Sequence, residues 1–287
     1  MKVTARVEDY VEPDYYDRLL KEYAFSGKTD LDLFGEFLTG LNKKTDVNVL
    51  ELGSGTGRGT EVVLKEMSVR EMTLVDLSQP MLAKSRERFS KYAHIEYQQS
   101  DTLDYLKNTK KSFDLIFSLW SYSHSVYQLI EKIGLENGLR EVKRIITKMF
   151  HENMRVGSSL FIIHSDWLSD EQQILVKQWG RDIPGLYKQG TQGLSKLALD
   201  SILEDLHNKG QVDYSVTPYV GDCIEYSSLE EALEVFINFH LESHFNNTEY
   251  IKEVFDDLRE YLIKFQDSNG KVLVRPACFI YKCAKIQ

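Results

Sequence analysis

The sequence predicts an α/β fold, a parallel sheet with helices on both faces, and three observations carry that reading. Short apolar runs alternate with helical patterns from about residue 45 to 165, and strands bounded by helices at this spacing form parallel sheets covered on both sides. The first run opens directly into the glycine-rich turn Gly53-Ser54-Gly55-Thr56-Gly57-Arg58-Gly59. The next two runs lead to acidic residues, Asp76 and Asp101.

Taken in order, Asn48–Leu52 is a strand and Gly59–Glu66 a helix, Met72–Val75 a strand and Gln79–Phe89 a helix. Ile95–Gln98 and Phe113–Leu119 are further strands, with the short segment Thr102–Leu106 between them. A longer helical pattern covers Gly138–Phe150, and Ser159–His164 closes the series. Beyond residue 165 the rhythm changes. Helical patterns over Leu229–Phe245 and Thr248–Phe265 precede a hairpin, with Asp267-Ser268-Asn269-Gly270 as its turn and Lys271–Lys282 as the following strand. Residues 45–165 are read as the ligand-binding core, and 166–287 as partner helices and closing strands of the same domain.

Composition narrows the function classes. At 287 residues, 42% hydrophobic and 28% charged, the chain has the make-up of a soluble globular protein. No apolar run reaches the roughly 18–20 residues of a membrane span, and the N-terminus MKVTARVEDYVEPD lacks the apolar core of a secretory signal. A cytoplasmic location is the expectation. The net charge of −9 argues against a sequence-independent grip on nucleic acid. Cys223, Cys278 and Cys283 are odd in number and lack C-x-x-C spacing, so neither zinc nor a disulfide framework is expected.

A tight glycine turn after a strand lets backbone approach a ligand, and the following helix start offers unpaired amides. A dinucleotide, a nucleotide phosphate and a nucleoside-bearing methyl donor all suit such a turn. The dinucleotide pattern G-x-G-x-x-G needs a last glycine where this chain has Arg58, and no Gly-Lys-Ser/Thr ending marks a P-loop. Asp76, 19 residues beyond Gly57, stands where an acid accepts from ribose hydroxyls. Asp101 can accept from an adenine amine. Glu51, on the first strand, suits a ligand with an amino group better than it suits a pyrophosphate.

As a set, Glu51, the glycines, Asp76 and Asp101 resemble the class I S-adenosylmethionine-dependent methyltransferases over about residues 45–165. The resemblance implies a Rossmann-like sheet of seven strands, the last antiparallel, with S-adenosylmethionine as cofactor. It implies that Glu51, Gly53, Ser54, Gly55, Thr56 and Gly57 border the methionine portion, with Asp76 on the ribose and Asp101 and Thr102 near the adenine. Leu77, Met81 and Tyr16 complete the implied donor contacts, and Leu119 offers its backbone near the sulfonium. Trp120, Tyr122 and His124 would face the transferable methyl. Pre-core helices of such enzymes act as lids, so residues 1–44 are expected to be a helical lid carrying Tyr15 and Tyr16, with a helix start at Pro13-Asp14.

The second half is similar to the histamine N-methyltransferase subgroup in SDWLSDEQQILVKQWGRDIPG, in SVTPYVGDCIEYSSLEEALEVFINFHLESHFN and in the tail GKVLVRPACFIYKCA. That likeness implies Asp30 as an acid for an amine substrate, and Trp167 and Trp179 as pocket walls. It departs at Trp120, where the subgroup has glutamine, and at Arg275, where it has asparagine; an arginine facing the pocket would favour an anionic group.

The expected function is methyl transfer to a small-molecule acceptor, foremost a nitrogen of an amine or amino-acid-like metabolite. Transfer to oxygen, sulfur or carbon of a biosynthetic intermediate, donor binding without turnover, and a protein substrate stay open. In-line transfer needs alignment and, for a protonated amine, a base. His124 is the expected base and His164 a further candidate, both near strand ends. No metal is expected, and neither nucleic acid nor membrane is expected as a partner.

Overall fold

The computed structural model describes residues 13–42, 45–183, 185–186, 193–240 and 251–287. Its N-terminal part runs α1 (Pro13–Leu19), a 3-10 turn, a hairpin of β1 (Ala24–Phe25) and β2 (Lys28–Thr29), then α2 (Asp30–Thr39). Helix α1 starts at the expected proline, which has no N–H to satisfy and a φ suited to a first turn. At α2, Thr29 and Asp32 form a reciprocal capping box.

The core follows as β3 (Val47–Leu52), α3 (Arg58–Glu66), β4 (Val69–Asp76), α4 (Gln79–Arg88), β5 (Ile95–Gln99), α5 (Thr102–Asn108), β6 (Phe113–Leu119), α6 (Tyr122–Ile133), α7 (Leu135–Lys148) and β7 (Met154–Ser165). The second half supplies α8 (Gln172–Asp182), α9 (Leu194–Asn208), β8 (Val212–Val220), β9 (Ile224–Tyr226), α10 (Leu229–Val235), α11 (Ile251–Ile263), β10 (Val272–Val274) and β11 (Ala277–Lys285).

Seven strands form the central sheet in the order β5-β4-β3-β6-β7-β11-β8. Pairs β3/β4, β4/β5, β3/β6 and β6/β7 are parallel. Strand β11 runs antiparallel to both β7 and β8, as expected for the last strand. The central strands β3 and β6 are largely apolar and buried: Val49, Leu50, Leu115, Ile116 and Phe117 are fully enclosed, as strands covered on both faces must be. Phe34 of α2 packs on Phe117 and Phe161 at ring separations of 4.6 and 4.9 Å. The chain order reverses between β3 and β6, and this switch point opens a crevice at the carboxyl ends of the parallel strands.

Four differences from the sequence reading have local causes. The expected strand 271–282 is broken at Arg275-Pro276, since proline has no N–H for a ladder: β10 pairs with β9, and only β11 joins the main sheet. The turn at 267–270 joins α11 to β10 instead of joining two long strands, closed by Asp267 accepting from the amides of Asn269 and Lys271. The first long helical pattern is α10 up to Val235, followed by a π turn over Phe236–His240; residues 241–250 of that pattern lie outside the described residues. Helices α6 and α9 and strand β8 were not anticipated.

Candidate active site

The turn after β3 is held before any ligand is considered. Gly53, Gly55 and Gly57 have φ of +72°, +51° and +87°, a region open to glycine at little cost. The amides of Gly53 and Ser54 both donate to the Val75 carbonyl, at 2.8 and 3.0 Å, tying the turn to the end of β4. A side chain at Gly53 would overlap Ser121 at 2.0 Å, so close packing as well as conformation demands glycine there.

Asp76, the last residue of β4, links turn and sheet. One carboxylate oxygen accepts from the Gly55 amide at 2.7 Å and the other from the Ser78 amide at 2.8 Å. Burial raises its pKa above the ordinary carboxylate value, while those amides pull it back. Asp101 caps α5, accepting from the amides of Leu103 and Asp104 at 2.8 and 3.0 Å; burial raises its pKa too. Thr102 bonds Ser125 of α6 at 2.6 Å.

These residues border one cleft with about 1100 Å³ of open space, its mouth included. Of the expected donor residues, Gly53, Gly55, Asp76, Leu77, Met81, Asp101, Thr102, Leu119 and Tyr16 line it. The other four lie behind its wall. Glu51 is buried and accepts from the Thr60 hydroxyl, with burial pushing its pKa up to about 8. Thr56 is buried and donates to Asp17. Ser54 is buried, its hydroxyl without a partner among the described residues. Gly57 is backed by Phe89, which a side chain would meet at 2.3 Å.

The expected acceptor residues divide more sharply. Trp120 and His124 line the cleft. Tyr122 does not: it is buried, with its ring 5.9 Å from His164. His164 lies in the core, bonded to the Ser165 carbonyl and the Ser195 hydroxyl at 2.7 and 2.9 Å, and burial lowers its pKa to about 4. Trp167 and Trp179 pack on Tyr127 around a smaller adjoining chamber that shares His124 with the cleft. Arg275 is exposed, and its amide donates to Asp170; it faces none of this space, so the argument for an anionic acceptor falls away. The side chain of Tyr15 lies outside the described residues.

Asp30 also requires correction as a substrate contact. It is fully buried and takes a bidentate contact from Arg58, at 2.8 and 3.1 Å, and the Trp120 indole N–H at 2.9 Å. Arg58, which breaks the dinucleotide pattern, thus has a structural partner. Trp120 sits at φ +71°, a strained setting for a large side chain, and Asp30 fixes its ring at the cleft wall.

Eleven of the twenty-two lining residues were not among the expected site residues, Tyr23, Glu171 and Phe239 among them. Tyr23 meets Trp120 edge to face at 5.7 Å and donates its hydroxyl to Glu171. Glu171 is 2% exposed, and burial pushes its pKa up to about 8. Among the described lining residues there are three carboxyl groups, Asp76, Asp101 and Glu171, and no lysine; Arg is absent as well. No group of residues able to hold a metal ion occurs among the described residues.

Residues 49–148 match the family model described as "Methyltransferase domain". Over 75 residues the chain is 32% identical to malonyl-[acyl-carrier protein] O-methyltransferase 1 of Ilyobacter polytropus, a match covering 26% of this chain and 27% of that protein. The matched segment is thus about a quarter of the relative's length. Two solved structures share the fold at a TM-score of 0.51 and 15% identity: a putative methyltransferase from Bacillus halodurans, with 90% of this chain and 99% of that one covered, and the YcgJ protein of Bacillus subtilis, with 90% and 98% covered.

Proposed function

We propose, from the methyltransferase domain at residues 49–148, that this chain is an S-adenosylmethionine-dependent methyltransferase acting on a nitrogen of a small amine or amino-acid-like metabolite. The observation that carries the reading is a single cleft joining the glycine turn, Asp76 and Asp101 to Trp120, His124 and Glu171.

The residues fit the donor. Gly55 lines the cleft with bare backbone, and a side chain there would project to within 3.6 Å of Tyr16, narrowing the space. In this reading Gly53 and Gly55 border the methionine portion, Asp76 takes the ribose hydroxyls, and Asp101 and Thr102 meet the adenine beside Leu77 and Met81. Glu51, behind the turn, supports its shape. When bound, the donor supplies a methyl group on a positively charged sulfur, so transfer needs positioning more than covalent help from the protein.

The chain's own contribution is alignment and proton handling. Trp120 and Leu119 form the wall between the two halves, and His124, on the first turn of α6, takes the proton that a protonated amine must lose before its lone pair attacks. Three carboxyls and no lysine or arginine among the described lining residues favour a cationic or neutral acceptor over an anion. The N-terminal segment 1–44, of which residues 13–42 are described, then serves as lid, 45–165 as donor-binding core and 166–287 as the acceptor side of the same domain. A small-molecule partner and a cytoplasmic setting belong to the same proposal; no helix among the described residues is long and apolar enough to cross a membrane.

Calorimetric titration with S-adenosylhomocysteine tests the donor half. The wild type should bind it, and Asp76→Asn, which cannot accept at both oxygens, should bind at least tenfold more weakly, about 1.4 kcal/mol. A folded wild type that ignores S-adenosylhomocysteine would falsify the proposal.

A further inference from the structure

Resting on that reading of the cleft, we infer that Glu171, with Tyr23 hydrogen-bonded to it, is the anchor that selects a cationic acceptor.

Glu171 is the residue immediately before the 11-residue helix α8, where a side-chain oxygen can turn back to accept from the first helical amides. It makes no such bond. Its carboxyl group meets the Tyr23 hydroxyl and lines the cleft instead. The two other cleft carboxyls are engaged by backbone amides: Asp76 by Gly55 and Ser78, Asp101 by Leu103 and Asp104. Glu171 accepts from the Tyr23 phenol, which brings no positive charge to the site.

Its surroundings suit an ammonium group. Tyr23, Trp120 and Phe239 line the same cleft with aromatic surface, which attracts cations. Phe25 backs Trp120 in a stacked arrangement at 6.1 Å, and the Asp30 contact fixes the indole from behind. Ionised carboxylate is costly at a site 2% exposed, and burial accordingly pushes Glu171 up to about 8. A cation bound against it restores the charged form. The other titratable groups acting on this pair are Asp170, Tyr16, Tyr226, Tyr261 and Cys278, with His124, Asp76 and Asp101 also on the cleft wall.

The probes are benzylamine, benzyl alcohol and benzoate, titrated into the full chain by calorimetry with and without saturating S-adenosylhomocysteine. The wild type should bind benzylamine at least tenfold more tightly than benzyl alcohol, and benzoate weakest. Glu171→Gln should erase the amine preference while leaving S-adenosylhomocysteine affinity within twofold; Tyr23→Phe should reduce the preference about threefold. In wild type at pH 7, repeated in buffers of different ionisation heat, benzylamine should release most of one proton and benzyl alcohol none. This measurement stands even if the variant fails to fold. A wild type without amine preference, a Glu171→Gln protein that keeps it, or amine binding without proton release each overturns the inference. Failure of S-adenosylhomocysteine to bind would strike the donor reading alone, because the amine preference is also read without it.

Discussion

The buried pair Asp30–Arg58 offers the sharpest test of how the cleft wall is built. Asp30 is fully enclosed and accepts four hydrogen bonds: two from Arg58, one from the Trp120 indole and one from the Leu31 amide. The Arg58 side chain is only 12% exposed. Arg58→Met would leave a carboxylate with no cation in a site water does not reach, at a cost of about 3–5 kcal/mol. Asp30→Leu would strand the guanidinium, at a similar cost reduced slightly by Arg58's partial exposure. The double variant removes both charges, so its loss should be far smaller than the two single losses added, giving a coupling of about 2 kcal/mol or more. Urea unfolding of the four proteins measures it. The same cycle reports on Trp120, because losing Asp30 removes the bond that steadies a residue at φ +71°; its fluorescence should shift in both variants lacking Asp30. Additive losses, or a cost below about 1 kcal/mol for Arg58→Met, would refute the account of this pair as a closed buried unit.

Two further outcomes follow from the turn and from the buried acids. Gly53→Ala combines a φ of +72° with a 2.0 Å approach to Ser121, and should lower the unfolding free energy by about 2–4 kcal/mol in urea melts; a loss under 1 kcal/mol would mean that the turn readily rearranges. Glu51 and Glu171 each titrate near 8 in the fold against 4.5 as an ordinary glutamate. With the folded pKa raised, the fold binds the extra proton, so the contribution of each of these two groups to stability is fullest below about pH 4.5 and declines until about pH 8, by up to ~1.4 kcal/mol per pH unit. Glu51→Gln should flatten that decline. Parallel pH profiles for variant and wild type would contradict the assignment.

Much of the fold was legible because its signals are local. The apolar runs that became β3, β4 and β6 are bounded by turn residues and largely enclosed, and periodicity within a dozen residues suffices to find them. Helix α6 was hidden because its buried face mixes serine and tyrosine with Val126 and Ile130, which blurs the apolar stripe. Strand β8 lies at the sheet edge with a mixed polar pattern, Val-Asp-Tyr-Ser-Val-Thr-Pro-Tyr-Val, and needs β11 to exist. The break at Arg275-Pro276 was readable in principle, because a proline inside an apolar run argues against a continuous strand.

The two halves of the cleft differed for the same reason. The proposed donor side is made by successive strand tips, Gly53 to Thr102, so each residue carries its own local mark: a glycine spacing, or an acid at the end of an apolar run. The acceptor side has no such contiguity. Tyr23 and Glu171 are separated by 148 residues, and Asp30 and Trp120 by 90. Nothing near Asp30 in sequence distinguishes an acid reaching for a ligand from one reaching for Arg58, since both belong at the start of a helix. Glu171 shows the converse: its sequence position is that of an ordinary helix-start acid, and only the fold sets Tyr23 and Trp120 beside it. Under the proposed function, specificity in this cleft resides in pairings across the chain, and substitutions at Tyr23 or Glu171 are expected to change the acceptor while the glycine turn and its acids keep the donor.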